Sequence, residues 1–448
     1  MFKKILIANR GEIAVRVIRA CREMGIATVA VHSLADAEAL HVRLADQAVC
    51  VGPAAARESY LNIANIVSAA TITGAEAVHP GYGFLAENSS FAEVCQQVGV
   101  KFIGPTPEAI ESMGNKPAAR ARMREAGVPI IPGTPGPVRD EREAARAAKE
   151  IGYPVILKAS AGGGGKGMRV VQNAGELSAQ LATARAEAEA AFGNGEIYVE
   201  KYLVEPRHVE VQVLADEHGN VVYLGERDCS VQTARHQKML EEAPCAFISD
   251  KMRQALGKAA VKGAQAVGYQ NAGTIEFLVA GNEFYFMEMN TRIQVEHPVT
   301  ELVTGVDLIQ QQIRVAAGEK LALRQKDIHL TGHAIECRIN AEDPAKNFTP
   351  SSGVIERWEP PGGPGVRVDS HLYNGYKVPP FYDSLLAKIL VYAPTRDEAI
   401  ARMRRALGET RLEGLPSTLE FYEKILTNEY FERGEISTDF LAKRIIQD

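Results

Sequence analysis

A multidomain protein of α/β and α+β class is predicted, opening on a parallel sheet wound with helices. Three observations predict it: short β-type runs alternate with helical patterns over the first hundred residues, further β-type runs flank a glycine-dense turn, and the chain is 448 residues long. That length is too great for one ordinary core, so two or three packed units are expected, with room for clefts. An apolar fraction of 46% and a charged fraction of 24% exclude wholesale disorder. A formal net charge of −6, with no dense Lys/Arg block, excludes a nucleic-acid binder. The cysteines (Cys21, Cys50, Cys95, Cys229, Cys245, Cys337) never form a Cys-x-x-Cys pair, so neither a zinc knuckle nor a disulfide framework is expected. After Lys3-Lys4 the apolar run is broken by Asn9-Arg10, too early for a signal-peptide core, and no stretch of about 20 apolar residues follows. The expectation is a soluble cytoplasmic protein without a membrane partner.

The first strand is read at residues 4–8, the first helix through Ile13, Val17 and Cys21, and the next strand at 27–32. A second pair follows: a strand near Ala77-Val78, the loop His79-Pro80-Gly81-Tyr82-Gly83, a helix through Phe91 and Val94, and a strand at 101–103. The first turn, Ala8-Asn9-Arg10-Gly11-Glu12, lacks the three-glycine dinucleotide fingerprint, so this Rossmann-like unit is read without a cofactor. The Pro/Gly-rich stretch 127–137 marks a boundary or hinge. Beyond it come strands at 155–158 and 168–171, a helix that Asn173 and Glu176 can cap and that ends at Gly193, and a strand at 197–199. Strands at 209–214 and 221–224 lead into helices and strands that continue to the C-terminus.

Between the strands at 155–158 and 168–171 lie four consecutive glycines, Gly162 to Gly165, then Lys166 and Gly167. Each ordered glycine costs about 0.5–1 kcal/mol relative to alanine, so the run gives up several kcal/mol where a turn needs one or two. Two readings stay open: a flap whose amides and Lys166 close over polyphosphate, or a floppy surface hairpin. It is not a Walker loop, because Met168 stands where Ser or Thr would ligate magnesium. It resembles the flap of the ATP-grasp proteins, in which Lys158 would reach the phosphates as a point charge.

Two runs, 274–280 and 284–289, flank Gly281-Asn282-Glu283 and read as a hairpin. If Ala280 pairs with Phe284, Glu276 faces Glu288, with Ile275, Phe277, Val279 and Met287 on the other side. Two like charges about 4 Å apart repel by about 4 kcal/mol at an effective dielectric of 20, so something positive must sit between them. Oxygen ligands without His or Cys favour magnesium or manganese carrying ATP phosphates, and Asn290 can add a third oxygen. The alternative is one Glu turned outward to solvent. From there Glu288, Asn290, Arg292, Gln294 and Glu296 recur at intervals of two, and an extended segment would place all five on one face. Arg292 offers a fork for a small oxyanion, and Glu296 a proton acceptor.

With these residues in view, the chain resembles the biotin carboxylases over essentially its whole length. The resemblance is carried by Ile7-Ala8-Asn9-Arg10-Gly11-Glu12-Ile13-Ala14, His79 through Leu85, Lys158-Ala159 with the glycine flap, Glu288 through Glu301, Glu336-Cys337-Arg338-Ile339-Asn340-Ala341-Glu342-Asp343-Pro344, and Pro379 through Ser384. It implies a Rossmann-like domain at 1–113, an ATP-grasp domain at 114–330 with a mobile glycine-rich lid at about 131–203, and a mixed C-terminal domain at 331–448. ATP would be held by Lys116, Lys158, Gly164, Gly165, the hinge Glu200-Lys201-Tyr202-Leu203, His208, Gln232 and His236. The metal would fall on Glu276, Glu288 and Asn290. Lys238, Arg292, Gln294 and Val295 would cradle bicarbonate, with Glu296 as its base and Arg338 stabilising the biotin enolate.

Two departures stand out. Asn115 replaces the expected Asp before Lys116, and Thr233-Ala234 makes the segment between Gln232 and Arg235 one residue longer than usual. The chain lacks the Met-Lys-Met biotin attachment site. The resemblance therefore implies biotin arriving on a separate biotin carboxyl carrier protein, carboxyltransferase subunits as further partners, and a homodimer. The final acceptor would be acetyl-CoA, as in fatty acid synthesis, or alternatively pyruvate or propionyl-CoA. Arg338 and the sequence around Arg292 argue against a ligase that joins an amine to an acyl phosphate. Glu276, Glu288, Arg292 and Glu296 together argue against an inert nucleotide-sensing scaffold.

Overall fold

The computed structural model describes residues 1–159, 168–192 and 194–446. They form two compact units. One comprises Met1–Val128, Arg207–Leu278 and Glu288–Asp448; the other comprises Pro129–Pro206 and Val279–Met287. The chain crosses between them at Pro129, inside the Pro/Gly-rich stretch read as a boundary. The glycine run and its Lys166 lie outside the described residues.

The larger unit begins with a sheet built from β1 (Lys4–Ile7), β2 (Ala27–Ser33), β3 (Gln47–Gly52), β4 (Ala77–His79) and β5 (Lys101–Phe102), in the order β3-β2-β1-β4-β5. All four pairings are parallel, as the alternating pattern predicts. Ile5, Leu6 and Ile7 are fully buried because helices cover both faces, which is why β1 reads as a continuous apolar run. At its carboxyl end, Asn9 Nδ2 donates to the carbonyls of Pro80 and Tyr82, each at 2.7 Å. Gly81 between them has φ +61°, and a Cβ there would meet the Asn9 amide at 3.0 Å. Only glycine lets that loop lie so close.

In the smaller unit β6 (Val155–Ala159) lies between β7 (Met168–Val171) and β8 (Ile197–Lys201). Val155, Leu157, Val171 and Val199 pack with Leu177, Leu181 and Ala184 of the helix Leu177–Phe192. Before that helix, Asn173 and Glu176 bond to each other at 2.8 Å and Glu176 accepts from the Gln172 amide.

A second sheet, most of it in the larger unit, carries many of the candidate site residues. Its strands are β9 (Arg207–Ala215), β10 (Val221–Gln232), β11 (Lys238–Ala243), β12 (Asn271–Ala280), β13 (Glu283–Asn290), β14 (His333–Asn340), β19 (Val366–Ser370) and β21 (Leu385–Ala393), in the order β13-β12-β9-β10-β11-β14-β21-β19. Short strands complete the C-terminal part: β15 (Glu342–Asp343) with β16 (Thr349–Pro350), β17 (Gly353–Val354) with β20 (Lys377–Val378), and β18 (Arg357–Glu359) with β22 (Arg411–Glu413). Ile335, Cys337 and Ile389 pack there against Met403, Tyr422 and Phe431. Among the described residues all cysteines are free thiols, and no helix is long and apolar enough to cross a membrane.

Candidate active site

The site grows from strands of the second sheet that are covered on both faces. Along β9, His208, Glu210 and Gln212 occupy every second position and all are buried, while β10 sets Arg227 opposite Glu210. Arg227 is fully enclosed and spends its whole guanidinium. Nε donates to Glu210 at 2.5 Å, Nη1 to Gln212 at 2.8 Å and Thr300 at 3.0 Å, and Nη2 to Thr274 at 3.1 Å and Gln294 at 2.7 Å. A buried guanidinium with all its donors used holds its neighbours in one geometry.

Upon this floor sits a charged triangle. Lys238, at the start of β11, donates from Nζ to Glu210 at 2.7 Å, Glu296 at 2.7 Å and Glu276 at 3.0 Å. Arg338, from β14, donates Nη2 to Glu296 at 3.0 Å and Nε to Glu241 at 2.6 Å. Burial alone would lower the Lys238 pKa, but Glu210, Glu296 and Glu276 outweigh it and hold the ammonium well above its usual range. Burial likewise opposes ionisation of Glu296, yet Lys238, Arg338 and Arg227 keep it well below the usual carboxylate range. Glu276 is held down in the same way by Lys238 and His208. Lys238, Arg338, Glu276 and Glu296, chosen from sequence, are thus brought together.

The reading of residues 288–296 as one extended face needs correction. β13 ends at Asn290, and Glu296 is already the N-cap of the helix His297–Thr304, with φ −82° and ψ 9°. Pro298 in that helix's first turn starts it there, since proline's fixed φ suits the first turn of a helix. The side chains nonetheless converge. Gln294 Nε2 and Asn290 Nδ2 each donate to Glu276 Oε1 at 2.8 Å. The Arg292 fork is turned to Glu87, with Nε donating at 2.9 Å, and to Asn290 Oδ1 at 3.0 Å.

Glu276, Glu288 and Asn290 are an oxygen donor set that suits a hard divalent cation. Each carboxylate has a basic side chain beside it in this structure. His208 Nε2 lies 2.9 Å from Glu276 Oε2, and Lys116 Nζ lies 3.1 Å from Glu288. Lys116 opens the helix Lys116–Glu125, whose N-cap is Asn115, accepting from the Ala118 amide at 3.1 Å. Asn caps a helix as well as Asp does, so the departure at 115 keeps the local structure while removing one charge. The lengthened segment after Gln232 is taken up in the turn between β10 and β11. Gln232 still pairs with Lys238, the Thr233 amide donates to the Gln237 carbonyl at 2.9 Å, and His236 sits exposed in the turn with φ +61°.

Of the remaining residues expected from sequence to hold the nucleotide, Lys158 and Glu200 belong to the smaller unit and bond at 2.5 Å. Lys201 directs Nζ to the Gly152 carbonyl at 2.8 Å, the Tyr202 amide donates to Pro154, and Leu203 is half-buried. Gly164 and Gly165 lie outside the described residues.

Sequence reasoning missed Glu210, Arg227, Glu241 and Glu87. Glu210 had a legible signal, because His208, Glu210 and Gln212 alternate with three valines in one strand. Glu87 reaches Arg292 across 205 residues of sequence, and no local pattern announces it.

The chain matches the biotin carboxylase N-terminal domain at residues 1–110, the carbamoyl-phosphate synthase L chain ATP-binding domain at 115–324, and the biotin carboxylase C-terminal domain at 336–443. It is 59% identical to Biotin carboxylase 1 of Bacillus subtilis over 443 residues, covering 98% of each chain. It is 55% identical to a pyruvate carboxylase subunit of Methanothermobacter thermautotrophicus, covering 98% of this chain and 90% of that one. Among solved structures, it resembles the biotin carboxylase domain dimer of Hydrogenobacter thermophilus 2-oxoglutarate carboxylase, solved with MgADP, ADP and bicarbonate. The TM-score is 0.87 at 50% identity, with 99% and 98% of the two chains covered.

Proposed function

The chain belongs to the biotin carboxylases, ATP-dependent ligases, and from that premise we propose that it carboxylates biotin borne on a separate carrier protein, using bicarbonate and ATP by way of carboxyphosphate. The observation that carries this reading is the buried triangle in which Glu296 is bonded at once by Lys238 and Arg338. MgADP and bicarbonate in the Hydrogenobacter thermophilus domain support the same ligands here.

The geometry sets a condition on the chemistry. A carboxylate gripped by two cations is a poor base, so Glu296 gains basicity only as Lys238 and Arg338 turn their charge to substrates. Bicarbonate drawing Lys238 away would free Glu296 to take its proton, and the resulting oxyanion attacks the γ-phosphate of ATP. Lys238 and Arg292 then face the charge developing on carboxyphosphate. Carboxyphosphate breaks down to carbon dioxide and phosphate, the phosphate removes the ureido proton of biotin, and Arg338 stabilises the enolate oxygen. Glu276, Glu288 and Asn290 would hold magnesium or manganese, which neutralises polyphosphate charge. Lys116, Lys158, Gly164, Gly165, the hinge 200–203, His208, Gln232 and His236 serve the nucleotide in this reading.

The three sections 1–113, 114–330 and 331–448 are proposed as the functional domains, in a cytoplasmic homodimer serving carboxyltransferase subunits. Acetyl-CoA is the proposed final acceptor, giving malonyl-CoA for fatty acid synthesis. The similarity to a pyruvate carboxylase component supports pyruvate as the second reading. The purified protein is expected to cleave ATP only with bicarbonate, and faster with free biotin. ADP release indifferent to both would remove the proposal, and the carrier that co-purifies would decide the acceptor.

A further inference from the structure

The mechanism leaves one fully buried cation without a task. Lys388, on β21, has no exposed surface, and it is the cross-strand partner of Arg338 on β14. Its Nζ donates to the Val295 carbonyl at 2.8 Å and lies 3.2 Å from Glu12 Oε1. That Glu12 oxygen also accepts from the Tyr82 hydroxyl. Glu12 and Tyr82 belong to the two N-terminal motifs, Asn9-Arg10-Gly11-Glu12 and His79-Pro80-Gly81-Tyr82, to which no part of the chemistry has been assigned.

Burying an ammonium is expensive, and a hydrophobic side chain of similar volume often serves stability as well or better. Stability alone is therefore a weak reason for a lysine here. Glu12, Glu336 and Asp369 together overcome the burial that would otherwise neutralise it, so the ammonium persists. What it holds is one peptide group. Val295 lies outside helix and strand, immediately before the Glu296 N-cap. With its carbonyl clamped from one side by a charge-assisted bond, the segment cannot rotate, and both the Val295 amide and the Glu296 carboxylate keep their direction.

We propose that Lys388, itself held by Glu12, is a positioning residue for bicarbonate: it orients the Val295–Glu296 segment on which the bicarbonate site is built. The proposal rests on the functional reading above. It explains why a motif at the start of the chain belongs to a site built some 280 residues later. Lys388 touches no substrate, so its removal should act on bicarbonate and leave the nucleotide alone.

The test compares steady-state ADP release by wild type, Lys388→Met, and the double variant Glu12→Gln/Lys388→Met, varying bicarbonate and ATP separately, with thermal melting of each. Misplacing a reacting group by about 1 Å can cost about 100-fold. Lys388→Met is expected to raise the KM for bicarbonate at least about tenfold while the KM for ATP stays within about twofold. The double variant, which removes both charges of the Glu12–Lys388 pair, is expected to melt above Lys388→Met yet keep the raised bicarbonate KM. It carries the test if Lys388→Met fails to fold. A bicarbonate KM that is unchanged, or that recovers together with the melting temperature in the double variant, would reduce Lys388 to a structural role and overturn the proposal. Wild type without bicarbonate-dependent turnover would instead overturn the functional reading itself.

Discussion

Glu296 shows how much one residue's chemistry depends on its neighbours. Alone it would be an ordinary carboxylate; with Lys238 at 2.7 Å and Arg338 at 3.0 Å it is a restrained one, which the proposed reaction releases as its substrates bind. Glu296→Gln keeps the shape and an acceptor oxygen but cannot take a proton. Turnover should therefore fall by about 10²–10⁴, the usual worth of a positioned general base, with nucleotide affinity unchanged in a direct binding titration. Turnover equal to wild type would assign the proton elsewhere. The residue types were legible in the sequence because a Glu-x-Asn-x-Arg-x-Gln-x-Glu run is too polar for an ordinary buried segment. Their partners were not: Glu241 and Glu87 meet Arg338 and Arg292 only because distant segments are folded together.

At the scale of elements, strands of the second sheet and the helix that follows β13 are locked by Arg227. Its side chain joins β9 through Glu210 and Gln212, β12 through Thr274, the segment after β13 through Gln294, and the helix His297–Thr304 through Thr300. Arg227→Met fills much of the same space but leaves Glu210 with Lys238 as its remaining cation. Loss of a buried ionic partner costs about 3–5 kcal/mol, which urea unfolding would measure. A loss below about 1 kcal/mol would show that Lys238 satisfies Glu210 by itself. Strand and helix positions along the chain follow the period of the apolar residues, and the hairpin of β12 and β13 was legible, although Glu283, read as part of the turn, already opens β13 and the turn is Gly281-Asn282. The end of β13 was misjudged, because a spacing of two continues through Glu296 while the backbone has already turned toward Pro298. A period in sequence reports faces only as long as the dihedral angles stay constant.

In the larger unit, buried groups set two opposite dependences on pH: the carboxyls of Glu12, Glu226, Glu241 and Glu336, raised by burial, favour the fold as pH falls, and buried imidazoles disfavour it. Burial holds the imidazoles of His41 and His79 down to about 4 and that of His371 down to about 3, whereas an unfolded chain protonates histidine near 6.5. Below that pH the unfolded state binds more protons than the folded one. The stability these groups contribute is complete above about 6.5 and is lost as pH falls toward 4, at about 1.4 kcal/mol per pH unit for each histidine. Glu242 adds in the same direction at lower pH: burial opposes its ionisation, but His333 and Arg396 hold it at about 2. Urea unfolding of wild type and His79→Gln at pH 7, 6 and 5 should show the stability gap between them shrinking as pH falls. A gap that stays constant would mean that this imidazole is charged in the folded protein.

Composition, period and motif by themselves determined the fold class and the boundary near Pro129, and singled out the carboxylates proposed for the metal and the glutamate proposed as base, because each is written in neighbouring residues or in a regular repeat. Tertiary structure alone decided which cation sits on which carboxylate, how Glu296 is restrained, and why Glu12 and Lys388 bear on Val295. Those relations join segments tens to hundreds of residues apart, and their strength comes from shared burial, which no local pattern encodes.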